Sequence, residues 1–366
     1  MRASSCLLLE VLRQPGRVQT LQERDWDLVV RQGRRANVLG RVCVLLEEHR
    51  LLNAVPQAAR GYLLSDRRLA SRHAASVRWE VNRILHALSP LNVPVILLKG
   101  AAYTLADLPP ARGRLFYDID ILVPRESLNA TEQALHQSGW ISTHLDRYDQ
   151  RYFREWMHEL PPMQHSYRKT LLDVHHTITP LTSALHPQAA ILRAGARPLQ
   201  QHPGLYTLAP ADMVLHSAVH LFYSDGEFEQ GLRDLTDLSA LLRHFSEHET
   251  GFWSKLIERA QELGLTRPLH YALRYTSKLL GTTIPATISS QAATNSPPRL
   301  AAQWRDQLFL RALKPAHPSC ADWATDSARW LLYVRSHYLR MPLRLLLPHL
   351  IRKAVRRRFR LRNVGM

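Results

Sequence analysis

Residues 93–124, VPVILLKGAAYTLADLPPARGRLFYDIDILVP, contain two apolar runs, each ending where polar residues begin. The first, 93–98, is short and continuous, the pattern of a strand buried on both faces. The second spans 115–123. Between them Lys99-Gly100 leads into a brief helical stretch at 101–105, which Pro109-Pro110 stops. Asp118 and Asp120 stand inside the second run with Ile119 between them. Alternate residues of a strand share a face, so both carboxylates leave the same side about 7 Å apart. Two acids on an otherwise apolar face are costly to bury without compensating positive charge. A divalent metal fits that need. An ordinary ion pair with Arg112 or Arg114 is the plainer alternative.

Upstream, residues 1–90 read as helical. Apolar residues recur at three- and four-residue spacing through Val38, Val42 and Leu46, and again from Leu63 to Leu88. The second series predicts a long helix over 57–88, ended by Ser89-Pro90. Downstream, Pro124 opens a helix to about Gln137, and 140–145 reads as a third strand. Residues 163–167 and 171–178 flank Arg168-Lys169-Thr170 as two antiparallel strands with a tight turn. The second of these carries Asp173, with His175 on the same face. From Pro210 the texture is a helical bundle: 212–222, 232–245, 252–263 and 267–280, then 300–313 and 321–339 after a Ser/Thr/Pro-rich loop at 285–298. The expected class is α+β. A small mixed-sheet core with helices on one side (91–180) is embedded between an N-terminal helical segment (1–90) and a C-terminal bundle (181–339), with a basic amphipathic tail at 340–366.

The 366 residues carry 48 Lys+Arg against 31 Asp+Glu, a formal charge of +17, which favours an anionic partner without choosing one. Much of that charge lies in the tail, where nine Arg/Lys residues interleave with Leu and Ile between Arg340 and Arg362. Arg352, Lys353, Arg356, Arg357, Arg358 and Arg360 could meet an anionic membrane surface or nucleic acid. The alternative is a terminal helix docked by its Leu face with its arginines solvated. Cys6, Cys43 and Cys320 show no metal-site spacing and fit a reducing cytoplasm. The N-terminus lacks a secretory pattern and no apolar run reaches the length of a membrane span. The expected location is cytoplasmic, peripheral to the inner face of the membrane if the tail binds it.

Asp118-x-Asp120, set in apolar surroundings, and Asp173 in Leu171-Leu172-Asp173-Val174 give three carboxylates on neighbouring predicted strands. Such a set suits one or two Mg²⁺ ions, which bind oxygen ligands together with substrate phosphates. In order, LLKGAAYTLAD, RLFYDIDILV and LLDVHHTI resemble the DNA polymerase β-like nucleotidyltransferase superfamily. The match is closest to its uncharacterised bacterial branch with an LKG…R…DIDLLV signature, and AbiEii-type toxin nucleotidyltransferases are related in pattern. The resemblance covers residues 93–178. It implies that Asp118, Asp120 and Asp173 bind Mg²⁺, or Mn²⁺ in its place, with Asp173 helping to activate the attacking hydroxyl. It further implies that Gly100 lets backbone N–H groups approach a triphosphate, while Lys99 and Arg114 contact phosphate or balance charge. Ala101 stands where a phosphate-binding Ser is common, and the gap from Gly100 to Asp118 is longer than in the compact superfamily pattern.

The implied reaction moves a nucleoside monophosphate from an NTP to a hydroxyl acceptor and releases pyrophosphate. Two other readings are a toxin-like enzyme acting on RNA ends and a non-catalytic scaffold that keeps the fold. His216 and His220 have metal-compatible i, i+4 spacing, but no HExxH accompanies them, so core or pocket histidines are the plainer reading. Asp237 is a candidate substrate-side contact, and His175 could orient Asp173 or meet a phosphate. No GxGxxG, Walker A or GxSxG motif is present.

Overall fold

A computed structural model describes residues 6–350 and 352, apart from 225, 227 and 295–298. The N-terminal helices are α1 (Leu7–Arg13), α2 (Glu23–Arg35), α3 (Leu39–Glu48) and α4 (Gln57–Leu88). The long α4 buries a narrow stripe, Leu63, Ala70, Val77, Val81, Ile84 and Leu88, and leaves its remaining faces in solvent. It packs on α3 and also touches α5 (Lys99–Leu105) and α6 (Leu128–Gln137).

The sheet begins where the apolar period changes. β1 (Val95–Leu97), β2 (Asp118–Leu122), β3 (Trp140–Ser142), β4 (Met163–His165) and β5 (Leu171–His175) follow the expected order, each somewhat shorter than its expected span. Two further strands, β6 (Arg197–Pro198) and β7 (Leu205–Thr207), lie past residue 180 and extend the same sheet. The spatial order is β3-β4-β5-β2-β1-β7-β6. β2 runs antiparallel to β1 and parallel to β5, and β1 runs parallel to β7. Because β2 and β5 are interior strands, Ile119, Ile121, Leu122, Leu172 and Val174 are almost fully buried, and polar residues among them need partners.

The remaining helices are α7 (Arg147–Arg151), α8 (Ala189–Ala194), α9 (Pro210–Val219), α10 (Gly231–His248), α11 (Phe252–Glu262), α12 (Thr266–Leu280), α13 (Ala286–Ala292), α14 (Arg299–Ala312) and α15 (Thr325–Arg340). α9 is buried along its whole length and packs against α10, α11 and α12. α14 and α15 pair with each other. The N- and C-terminal parts also meet: Cys6 and Cys320, remote in sequence, are buried free thiols with Sγ atoms 3.0 Å apart. None of the described helices is long and apolar enough to cross a membrane.

Candidate active site

The β2–β5 register sets Asp120 directly beside Asp173 and Asp118 beside Leu171. Alternation then puts Asp118, Asp120 and Asp173 on one face, where their carboxylate oxygens lie within 4.8 Å of one another. Asp120 is 2% exposed, and Asp118 and Asp173 are half-buried. Like charges this close raise the cost of ionisation. Burial first, then Glu159, Asp120 and Asp118, push the Asp173 carboxyl well above its ordinary value.

The compensating cation is neither Arg112 nor Arg114. Lys99 Nζ donates to Asp120 Oδ1 at 2.9 Å. Burial opposes the ammonium charge, but Asp120, Asp118 and Asp173 outweigh it and raise the Lys99 pKa. Lys99 reaches this position from a left-handed backbone conformation, φ +42°, at the junction of β1 and α5. That conformation is strained for a residue with a Cβ, and such strain recurs at functional sites.

Arg112 pairs with Glu48 at 3.6 Å. Arg114 is buried in a separate network: its Nε donates to Asp237 Oδ2 at 2.7 Å, and Arg41 Nη2 donates to Asp237 Oδ1 at 2.8 Å. Asp237 is therefore a buried strut between two arginines, not a substrate-side contact. Gly100 lies beneath Arg114: a Cβ there would come 2.5 Å from Arg114 Nη1 and 2.8 Å from Phe116 Cγ. The local demand for glycine thus comes from the close approach of Arg114 and Phe116 to α5.

His175 orients Asp120, not Asp173, with Nε2 3.0 Å from Asp120 Oδ1. Two residues that sequence reasoning did not mark, His158 and Glu159, join it. An isolated bridge pairs Glu159 with His175, and Leu160 N donates to Val174 O while His176 N donates to His158 O. This irregular segment therefore lies along β5 like a short extra strand. Burial, with Asp120 and Asp118 nearby and Lys99 opposing, pushes the Glu159 carboxyl up to about 7. His216, buried on α9, is held well below its ordinary value by burial and by Lys99 and His175. His220 Nε2 stands 3.8 Å from Asp234 Oδ2. No sequence spacing signals this grouping, because the residues come from separate segments of the chain.

A cavity of about 630 Å³ opens beside Asp118, lined by His73, Trp79, Glu80, Phe116, Tyr117 and Arg168, among others. Arg168 is fixed there by Glu80, with Nε 2.9–3.0 Å from both carboxylate oxygens. Of the basic tail, Arg352 packs on the Tyr148 ring, 4.1 Å from its centroid, and lies 3.6 Å from Asp146. Lys353, Arg356, Arg357, Arg358 and Arg360 lie outside the described residues.

A family model described as an uncharacterised nucleotidyltransferase matches residues 22–281, the larger part of the sequence. The chain belongs to this nucleotidyltransferase family. Neither a curated protein nor a solved structure matches it. For a nucleotidyltransferase, the mixed sheet and the buried acidic triad fit a metal-binding catalytic site, and the family implies an NTP substrate. An all-carboxylate donor set suits a hard, oxygen-seeking divalent cation.

Proposed function

We propose that this nucleotidyltransferase transfers a nucleoside monophosphate from an NTP to a hydroxyl acceptor, using Asp118, Asp120 and Asp173 as the ligands of Mg²⁺ or Mn²⁺. The observation that carries the reading is the convergence of these three carboxylates on one face of adjacent strands, with Lys99 among them. The metal, when bound, neutralises phosphate charge and aligns attacking and leaving oxygens.

The chain's own residues do the rest. Lys99 balances the triad's negative charge and holds Asp120 by a hydrogen bond to its Oδ1. His175 fixes the orientation of Asp120 through its Nε2. Asp173 takes the proton of the acceptor hydroxyl as that oxygen bonds to the α-phosphorus. The bond from the α-phosphorus to the bridging oxygen breaks, and its electron pair leaves with pyrophosphate. The cavity beside Asp118 takes the nucleoside, where Trp79 and Tyr117, 52% and 75% exposed, offer aromatic faces. Arg114 and Gly100 act one layer back. The ion pairs of Arg114 with Asp237 and the missing Cβ of Gly100 hold α5, and with it Lys99, against the sheet.

The test is turnover of labelled NTPs with and without Mg²⁺, comparing the wild type with Asp118→Asn and Asp120→Asn. Losing one ligand removes several kcal/mol of charge stabilisation, about a 10²-fold or greater fall in rate. Equal, metal-independent behaviour in all three proteins overturns the reading.

A further inference from the structure

Beside the carboxylate triad lies a second constellation with different chemistry. The metal-competent atoms of His158, Glu159 and His175 fall within 4.8 Å of one another. The two imidazoles face each other with centroids 5.0 Å apart and planes tilted by 37°. His175 is 2% exposed. Its Nε2 lies 3.0 Å from Asp120 Oδ1, and since a carboxylate only accepts, Nε2 carries the proton. That leaves Nδ1 as a lone pair. This atom is buried without a hydrogen-bond partner, as is His158 Nδ1.

His175 Nδ1 looks directly at Glu159 Oε2 across 3.4 Å. Two bare acceptors at that distance repel, and either a proton on the Glu159 carboxyl or a cation between the two relieves the repulsion. A cation bound at about 2.1 Å to each of two ligands, in tetrahedral geometry, separates those ligands by about 3.4 Å. A metal-bound imidazole usually passes its other N–H to a carboxylate, which fixes the tautomer, and Asp120 is placed to receive it here.

We propose that His158, Glu159 and His175 form a second metal site, selective for a borderline transition-metal cation of the Zn²⁺ type and distinct from the all-oxygen site of the triad. Imidazole nitrogen with one carboxylate suits Zn²⁺, Co²⁺ or Fe²⁺ far better than Mg²⁺, which demands oxygen ligands. Three protein ligands leave a coordination position free. His175 joins the two sites, through Nδ1 at one and through its hydrogen bond to Asp120 at the other.

The test uses the full-length protein, stripped with a chelator and titrated with Co²⁺ in excess Mg²⁺, so that oxygen-only ligation is suppressed. Intense visible d–d absorption reports Co²⁺ of low coordination number, as three protein ligands and a water would give, whereas octahedral all-oxygen Co²⁺ absorbs only weakly. The expected result is one equivalent of Co²⁺ with that absorption, displaced by Zn²⁺ and not by Mg²⁺. His158→Ala and Glu159→Gln should each weaken it about 100-fold or more, since even outer-shell changes cost 10–100-fold, while Asp118→Asn should retain it. A wild-type protein that shows no such absorption overturns the site. So does a spectrum that persists in both His158→Ala and Glu159→Gln, or one lost in Asp118→Asn and kept in His158→Ala. The wild-type titration decides the matter even where a variant fails to fold. Because the readout is binding and not turnover, failure of this site leaves the nucleotidyl-transfer reading to its own test.

Discussion

Arg114 and Asp237 meet through a 2.7 Å hydrogen bond between groups that are 5% and 4% exposed. The bond joins the turn before β2 to the middle of α10, so the acid-bearing strand is tied to the helical bundle by charge as well as by packing. Asp237→Ala would leave Arg114 buried without its main partner, and Arg41 with it. The expected loss is about 3–5 kcal/mol of unfolding free energy, read by urea denaturation. A change under ~1 kcal/mol would mean that water solvates the arginines without cost.

Gly100→Ala is a steric test of the same layer. The added methyl meets Arg114 Nη1 and the Phe116 ring, and although the arginine terminus can swing, the ring cannot yield without moving β2. Overpacking of this kind costs about 1–3 kcal/mol. Stability should therefore fall in the absence of any nucleotide. If stability stays at the wild-type level while only NTP affinity falls, the glycine serves nucleotide approach instead.

The cavity beside Asp118 can be probed at Trp79, whose half-exposed ring contributes little to the core. If the base stacks there, Trp79→Ala should weaken NTP binding by about 1–3 kcal/mol, with the denaturation midpoint almost unmoved. Calorimetric titration of wild type and variant measures the affinity, and urea denaturation of the two measures the midpoint. Unchanged affinity would remove the base from this cavity.

The Cys6–Cys320 contact predicts a selective oxidation. The Sγ–Sγ contact with Cys6 holds the Cys320 thiol below its ordinary value, while the same contact and burial push Cys6 up, so Cys320 is the more acidic thiol of the pair and the one that initiates exchange. Diamide should take two hydrogens from this pair and leave one intramolecular Cys6–Cys320 disulfide. Non-reducing peptide mapping checks this, with Cys43 expected to remain a free thiol.

Cys43 itself is fully buried, and burial, with Glu47 nearby, pushes its thiol up to about 11. In the folded chain it should resist iodoacetamide at pH 8 and react only after denaturation. The sign of the linked stability follows. Between about pH 9 and 11 the unfolded thiol loses its proton before the folded one, so the folded state binds more protons and stability falls as pH rises. Cys43→Ala should flatten that part of the stability profile, whatever its effect at neutral pH.

Much of the sheet was legible because strands β1, β2 and β5 lie in apolar runs bounded by abrupt polar residues, β4 because a tight turn separates it from β5, and α4 because its apolar stripe has a single period. The acids stood out for the same reason: Asp118, Asp120 and Asp173 interrupt apolar strands. β6 and β7 left no comparable trace: β6 is the exposed pair Arg197-Pro198, and β7 is Leu205-Tyr206-Thr207 with no extended apolar run around it. His158 and Glu159 were hidden for another reason. They sit in irregular chain whose closeness to His175 depends on backbone hydrogen bonds to β5, and no local pattern encodes those. Arg114 stands near the acids in sequence, but its partner Asp237 lies on a distant helix. Which of two nearby opposite charges a buried arginine chooses is a question of tertiary geometry.

β1 lies between β2, which follows it closely in the chain, and β7, which arrives only at Leu205–Thr207. A ribosome emitting this chain would thus release strands β1 to β5 well before the partner that covers the far edge of β1. During that interval a buried-type strand, Val95-Ile96-Leu97, presents open N–H and C=O groups to any passing strand. The nascent chain is most vulnerable to mispairing between the emergence of β5 and that of β7. Products truncated in that window should aggregate, and a chaperone that shields hydrophobic edges would have its greatest effect there.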